Sequence, residues 1–222
     1  MRAALYFTPP ADAALTRAAA LWLGRDAFSG AATRAPDPAI DPLVADPARY
    51  GFHATLRAPF RPKDGVTLAD LASALDAFAA TRRAFDLPKA VIARLDGFLA
   101  LVPAAPSPDL AALESAILEA FEPFRAPLTA DEVARRRPER LSEHQRNLLD
   151  RWGYPYVRDE FRFHMTLTNS LAGDALERTE TDLRRRLAEF DGAPLAIGGL
   201  ALFVEEERGA PFTVARLAPF GA

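Results

Sequence analysis

The sequence predicts an α+β fold of two similar lobes, with two antiparallel sheets facing a central cleft and helices on the outside. Two observations carry this prediction. The string Phe-His-x-Thr-Leu occurs twice, at residues 52–56 and 163–167. Each copy is followed by a helical pattern, a Phe-Asp pair and a strand pattern, and the pair and the strand pattern recur at the same offset of 105 residues. Two copies of the string with matched flanks favour an internal duplication over chance.

The N-terminal segment leads to the first copy of the string. Residues 2–8 read as a strand that ends at Pro9, because proline cannot donate to a sheet. An Ala- and Leu-rich stretch from Asp12 predicts a helix ending at Gly24. Residues 28–48 carry four prolines with little periodicity and predict an ordered loop that covers something. The first motif strand is expected at about 50–58.

The first motif strand is followed by a helix, a hairpin and a second helix. Thr67 and Asp70 form a capping-box pattern, with apolar residues at helical spacing behind them. Strands at about 84–93 and 98–102 are joined at Asp96-Gly97, a strong hairpin signal. Ser107-Pro108 then begins the next helix.

Residues 128–153 are interpreted as a helical insertion between the halves. Thr129 with Glu132 predicts a helix start, Pro138 a break, and Ser142 a restart that ends at Gly153. The insertion is rich in arginine, namely Arg135, Arg136, Arg137, Arg140, Arg146 and Arg151. These side chains form either a solvated basic face or a lid that contacts an anionic substrate.

The second half repeats the first after its motif. Asp174 with Glu177 predicts the start of a helix, and a final hairpin turns through residues 205–209. We therefore expect one domain, with a lobe at about 10–105 carrying the first motif and a lobe at about 155–222 carrying the second.

Composition excludes several classes of function. The chain has 222 residues and a net charge of −3, so no global attraction to nucleic acid or membrane is expected, and any anion site must be local. It has no cysteine, which excludes disulfides and thiolate sites. No apolar run approaches a membrane span or a signal peptide. We expect a cytoplasmic monomer without a membrane partner.

The two motifs carry the candidate catalytic residues His53, Thr55, His164 and Thr166. Side chains two apart on a strand share a face, so each copy places a histidine beside a threonine. Histidine exchanges protons near neutral pH, and two histidines flanking one phosphorus atom can act as base and acid. The threonine hydroxyls can donate to phosphate oxygens as charge builds.

Metal binding is the main competing interpretation of the two histidines. A catalytic zinc ion requires three protein ligands, and neither motif has a cysteine or a pair of carboxylates nearby. No metal and no cofactor are therefore expected. A core role for the histidines is also disfavoured, because the face that they share stays polar in both copies.

Four further residues are candidate substrate contacts: Arg57, Arg162, Thr168 and Tyr156. The two arginines share the motif faces and could hold an oxyanion through two hydrogen bonds each. Each could equally form an ion pair at a strand end. Tyr156 could stack on a base or sugar, or simply pack. The third histidine, His144, lies among polar residues and is expected at the surface.

The two His-x-Thr motifs resemble those of the 2H phosphoesterase superfamily, over nearly the whole chain. The longer strings at residues 50–60, 152–156 and 161–168 are similar to a bacterial branch named phosphonate metabolism proteins. The resemblance implies two pseudo-twofold lobes that each give one motif strand to a central cleft. It also implies metal-independent cleavage of a phosphodiester, most often a 2′,3′-cyclic phosphate or an RNA 2′–5′ linkage. The phosphonate branch implies a phosphorylated ribose 1,2-cyclic phosphate or a related sugar phosphate.

The sequence leaves two alternatives to a cyclic phosphodiesterase open. A binding protein could sense a nucleotide or an RNA end through the same cleft, although no motif residue is missing. Ligase-like transfer to RNA would need a long positive groove, against which the acidic net charge argues.

Overall fold

The strands form one seven-stranded sheet and one two-stranded sheet. The computed structural model describes residues 1–221. All strand pairs in both sheets are antiparallel. The strands are β1 (Arg2–Phe7), β2 (Ala54–Phe60), β3 (Phe85–Leu87), β4 (Ala90–Leu95), β5 (Phe98–Pro103), β6 (Met165–Thr166), β7 (Leu195–Ile197), β8 (Gly199–Glu205) and β9 (Thr213–Pro219). The α+β class expected from the sequence is confirmed.

Seven α-helices connect the strands. They are α1 (Ala14–Leu23), α2 (Asp41–Tyr50), α3 (Leu68–Ala80), α4 (Pro108–Phe121), α5 (Ala130–Arg135), α6 (Glu143–Trp152) and α7 (Gly173–Arg186). The capping boxes expected at Thr67 and Thr129 are formed, and Ser142 caps α6 with Gln145. Within residues 1–221, no helix combines the length and apolar character needed to cross a bilayer.

Helix α2 lies in the last part of the predicted proline-rich loop, so that prediction is wrong for residues 41–48. Pro42 is accommodated in the first turn, where a missing N–H costs nothing. Pro47 lies inside the helix and leaves the Leu43 carbonyl without its helical donor. The Asn169 backbone N–H supplies that donor at 2.7 Å. A tertiary contact that the local sequence does not show therefore stabilises α2.

The two faces of the large sheet differ in character. On β1, Ala3, Leu5 and Phe7 pack into the main apolar core, in which α3 and α4 contact the sheet. The intervening Ala4 and Tyr6 point to the other face, where they pack with Phe203 and Phe212. The helical layer therefore covers one face of β1, and the candidate site lies on the other.

The order of strands in the large sheet is β4-β5-β6-β2-β1-β8-β9. The structure differs from the expected arrangement in one respect, because the two motif strands are neighbours in one continuous sheet. Strand β6 from the second half lies beside β5 from the first, and β8 from the second half lies beside β1 from the first. Each side of the sheet therefore contains strands from both halves of the sequence.

The remaining turns and caps follow local chemistry with one exception. Asp96 and Gly97 both have positive φ in the β4–β5 turn, as a tight hairpin requires. Strands β3 and β7, each of which follows the first helix after a motif, pair with each other in the small sheet. Asp174 does not cap α7 as expected; the helix begins at Gly173, and its N-cap, Ala172, makes no side-chain hydrogen bond.

Candidate active site

The two His-x-Thr motifs meet at the centre of the sheet. Ala54 of β2 pairs with Met165 of β6 in antiparallel register. Extending this register by one residue in each direction places His53 opposite Thr166 and Thr55 opposite His164. Paired residues share a face, so one pseudo-twofold patch contains two imidazoles and two hydroxyls. This is the juxtaposition that a two-histidine mechanism requires.

Both imidazole rings are oriented by the same backbone contact. Nδ1 of His53 lies 2.9 Å from the Gly51 carbonyl, and Nδ1 of His164 lies 2.7 Å from the Arg162 carbonyl. A carbonyl oxygen can only accept, so each Nδ1 carries the proton. In the neutral tautomer, each Nε2 is therefore an acceptor that is available for proton transfer.

His53 lies in an aromatic environment that favours its neutral form. Its ring stacks on Tyr6 with centroids 3.9 Å apart, and Nε2 lies 3.3 Å from the Thr55 hydroxyl. The pKa of His53 is lowered to about 4, mainly by burial and to a smaller extent by the electrostatic effect of His164, while the hydrogen bond to Gly51 opposes the change. His53 is therefore neutral at physiological pH.

The motifs line a cleft formed by two adjoining cavities. His53 and Thr166 line the larger cavity, of about 610 Å³. His164 lines a smaller one, of about 490 Å³. Thr55, Ala58, Phe98 and Tyr154 line both cavities, so the two adjoin between the motifs. The larger cavity has the size of small-molecule sites.

Arginine dominates the charge of the larger cavity. Its lining includes Arg2, Arg49, Arg61, Arg135, Arg136 and Arg208, against only the two acidic residues Asp46 and Glu132. The chain as a whole has a net charge of −3. Positive charge is thus concentrated at the cleft, as an anionic substrate requires.

The Arg-rich insertion contributes to the cleft through only part of its length. Arg135 and Arg136, at the end of α5, line the larger cavity, and the Arg136 guanidinium lies 4.8 Å from the centre of the Tyr154 ring. Arg146 instead donates to the Leu141 carbonyl, and Arg151 lies over Trp152. Of the six arginines of the insertion, Arg135 and Arg136 line the larger cavity and the other four do not.

Arg57 does not share the face of His53 and Thr55, so that prediction is wrong. Thr55 pairs with Tyr6, but Arg57 pairs with Leu5, because β2 has an extra residue at this point. Such a bulge reverses the alternation of side chains. Arg57 is 2 % exposed and binds the Leu118 carbonyl and Glu122 behind the sheet.

The other three candidate contacts lie at the cleft. Arg162 and Tyr156 line the smaller cavity with His164, and Tyr156 is 47 % exposed. Thr168 lines the larger cavity but is buried, and its hydroxyl accepts a hydrogen bond from the Leu99 amide at 3.0 Å. His144 is exposed and contacts Asp159, outside both cavities.

Sequence reasoning missed several residues that line the cleft, notably Arg2, Arg49, Tyr50, Asn169 and Arg208. Arg49-Tyr50 and Asn169 carried a local signal, since the pair lies just before the first motif and Asn169 just after the second. The others reach the cleft through the strand order. Among residues 1–221, no group of three or more His, Asp or Glu side chains is placed to hold a metal ion.

Comparison with curated proteins gives two relatives with the same name. Each is called ribose 1,5-bisphosphate phosphokinase PhnN, one from Janthinobacterium sp. (strain Marseille) and one from Laribacter hongkongensis (strain HLHK9). Both are 40% identical to this chain, over 234 and 221 residues, which cover 99% and 98% of it. The chain spans only 51% of the length of each relative.

Comparison with solved structures gives the names phosphoesterase and LigT. Escherichia coli LigT complexed with NADP+ aligns at a TM-score of 0.49 and 16% identity, over 100% of this chain and 98% of LigT. The protein TT0787 of Thermus thermophilus aligns at 0.49 and 15%, over 99% and 98%. The description of the fold stands on the strand order given above.

A family model covers most of the chain, from the middle of the first motif to β9. It matches residues 55–213 and is described as "Protein of unknown function (DUF1045)". The chain belongs to the DUF1045 family.

Proposed function

We propose that this protein is a metal-independent phosphodiesterase of the 2H type that opens the cyclic phosphate of a small sugar phosphate or nucleotide. The observation that carries the proposal is the antiparallel register of the two motifs, with both Nδ1 atoms bound to carbonyls two residues earlier. This geometry leaves two Nε2 atoms on one patch, beside two hydroxyls. A base and an acid on one patch suit displacement at phosphorus.

The lowered pKa of His53 supports the general-base role for His53 and leaves the general-acid role to His164. A general base must be neutral before it reacts, and His53 has a pKa of about 4. His53 Nε2 accepts a proton from water while the water oxygen bonds to phosphorus. The bond from phosphorus to one ring oxygen breaks, and His164 Nε2–H donates its proton to that oxygen. The product is a phosphomonoester with a free hydroxyl.

The threonines stabilise charge on the reacting phosphate. Thr55 and Thr166 line the larger cavity between the two imidazoles. Their hydroxyls donate to the two non-bridging oxygens as negative charge builds there. Each hydroxyl is neutral, so the binding of the anionic ground state is left mainly to the arginines of the cleft.

The names of the relatives suggest the substrate. They are phosphokinases of ribose 1,5-bisphosphate and are about twice as long as this chain. This chain has only two lysines, each preceded by proline, so it has no Walker-type phosphate loop. We assign the kinase activity to the other half of those proteins. Opening a 5-phosphoribosyl 1,2-cyclic phosphate at O2 would give ribose 1,5-bisphosphate, which also fits a role in phosphonate metabolism.

Phosphorus NMR tests the proposed reaction. The purified protein, in EDTA, is incubated with 2′,3′-cyclic nucleotides and with ribose 1,2-cyclic phosphates. We expect new phosphomonoester signals, with rates reduced by about 10²- to 10⁴-fold in His53→Ala and in His164→Ala. His144→Ala is the matched control and keeps full activity. Absence of product, with binding of one compound, would favour a non-catalytic binding protein instead.

A further inference from the structure

Three arginines from separate segments converge at one end of the larger cavity. Arg2 lies at the start of β1, Arg49 near the end of α2, and Arg208 in the turn between β8 and β9. They are far apart in the sequence, and none belongs to a motif. The mechanism described above gives none of them an individual role.

Two of these guanidinium groups are fixed by a single buried carboxylate. Glu205 is 0 % exposed and accepts hydrogen bonds from Arg2 Nε, Arg49 Nη1 and the Gly209 amide. Burial raises the pKa of Glu205, but the hydrogen bonds from Arg2 and Gly209 outweigh it and hold the pKa below its usual range. The carboxylate therefore stays ionised and holds the two arginines side by side.

The arginines carry more charge than Glu205 neutralises. One guanidinium would balance one buried carboxylate, yet two bind it and Arg208 lies exposed in the same cavity wall. A guanidinium group has five N–H donors, and Glu205 takes only one from Arg2 and one from Arg49. Most donors thus remain available for an anion with several oxygens, such as a phosphomonoester.

The Tyr50 ring lies between Arg49 of the arginine cluster and His53. The Arg49 guanidinium is 4.5 Å from the centre of the Tyr50 ring, and that ring is 5.9 Å from the His53 ring. Arg49 also donates to the Tyr50 hydroxyl at 2.6 Å. A molecule with its reacting phosphate between the histidines would therefore reach the arginines across roughly one sugar ring.

We propose that Arg2, Arg49 and Arg208 form a subsite for a second, non-reacting phosphate of the substrate. The substrate class is then a sugar cyclic phosphate that also carries a phosphomonoester, rather than a simple 2′,3′-cyclic nucleoside phosphate. This inference rests on the proposed cyclic phosphodiesterase function. The other cleft arginines are a poorer choice, because Arg61 faces Glu132 and Arg135 is bound to a carbonyl of its own helix.

The test compares two substrates that differ only in the remote phosphate. Values of kcat/KM are measured for ribose 1,2-cyclic phosphate with and without a 5-phosphate. We expect the wild-type protein to prefer the 5-phosphorylated compound by about 100-fold or more. Arg49→Ala and Arg208→Ala should each lower this ratio by about 10- to 100-fold, as expected for losing a charged hydrogen-bond donor. Arg178→Ala, an exposed change on α7 outside the cleft, should keep the ratio.

Several outcomes would overturn the subsite while leaving the proposed function intact. They are equal turnover of both compounds by the wild-type protein, an unchanged ratio in both variants, or loss of the ratio in Arg135→Ala but not in Arg208→Ala. Arg208→Ala breaks no ion pair found among residues 1–221. The variant should therefore fold like the wild-type protein, which a thermal unfolding measurement would verify.

Failure of the proposed function gives a different result. If the wild-type protein turns over neither compound, the proposed phosphodiesterase function is contradicted. Calorimetry with the 5-phosphorylated compound then tests whether the subsite binds a phosphate. Binding that weakens about 10-fold or more in Arg208→Ala supports the subsite, and equal binding overturns it.

Discussion

At the scale of single residues, His53 is defined by its ring environment more than by its motif. Tyr6 stacks on one face of the imidazole, and the Gly51 carbonyl fixes the Nδ1 proton. His164 has the same backbone contact, but its nearest aromatic ring, Phe98, is 5.8 Å away. The two motifs therefore share the His-x-Thr pattern but differ in their surroundings, as the proposed division into base and acid requires.

The lowered pKa of His53 predicts the acid limb of the pH–rate profile. The base acts when neutral, so activity should be present above pH 4 and lost as the pH falls through about 4. An unperturbed histidine would place this limb near pH 6.5. The measurement is kcat/KM for the cyclic phosphate against pH, with unfolding followed in parallel. A limb near pH 6.5 in folded protein would contradict the role given to His53.

The buried position of Arg57 predicts that its substitution lowers the stability of the protein rather than its binding of substrate. Its side chain is buried and binds Glu122 and the Leu118 carbonyl. Arg57→Leu should lower the free energy of unfolding by about 2 kcal/mol, less than for a fully buried pair because Arg125 still binds Glu122. Chemical denaturation and steady-state kinetics check this. A raised KM with unchanged stability would restore Arg57 as a substrate contact.

At the scale of elements, α2 joins the two motifs. It ends just before the first motif and is bound by Asn169, which follows the second. Asn169 donates to the Pro42 carbonyl at 2.9 Å and accepts from the Asp46 amide at 2.9 Å. Together with the backbone bond to Leu43, these contacts fix α2, which carries Arg49 and Tyr50 to the cleft.

Asn169→Ala should therefore affect both stability and catalysis. Losing two partly exposed hydrogen bonds should cost about 1–2 kcal/mol and lower Tm by about 2–8 °C. Because α2 positions Arg49 beside the cleft, we also expect kcat/KM to fall. Asn169→Asp keeps the acceptor for Asp46 and loses the donor to Pro42, so its effect should be intermediate. A full loss of activity with unchanged Tm would instead indicate direct contact with the substrate.

Elements with strong local chemistry could be predicted from the sequence, and those fixed by tertiary contacts could not. The capping box at Thr67 and the turn at Asp96-Gly97 each satisfy their own backbone groups, so a few residues identify them. Helix α2 needs Asn169, and the reversal of Arg57 needs a bulge against β1. Neither feature has a local signature, which is why a loop and a cleft contact were expected there.

At the scale of the whole molecule, the duplication is interleaved rather than side by side. Strand β6 lies between β5 and β2, so each side of the sheet contains strands from both halves of the chain. This exchange makes the motif strands neighbours and fixes their register within one sheet. The repeated string predicted that the motifs belong together, but only the strand order shows that one sheet carries both.

The distribution of charge predicts a salt dependence. The protein has a net charge of −3, while six arginines line the larger cavity. Attraction by the cleft should make kcat/KM for a doubly phosphorylated substrate fall with ionic strength, on the order of tenfold between low and high salt. The value of kcat at saturation should change much less. A kcat/KM that rises with salt would instead show that the net negative charge of the protein governs its encounter with the substrate.

The division of labour between the two histidines is the central claim, and leaving-group rescue tests it most directly. Turnover by wild-type protein, His53→Ala and His164→Ala is compared on a cyclic phosphate and on a p-nitrophenyl phosphodiester, whose leaving group departs without a proton. We expect His164→Ala to lose about 10²- to 10⁴-fold on the cyclic phosphate and little on the nitrophenyl ester, while His53→Ala loses activity on both. Rescue of His53→Ala but not of His164→Ala would reverse the roles, and rescue of neither would contradict acid catalysis by either histidine.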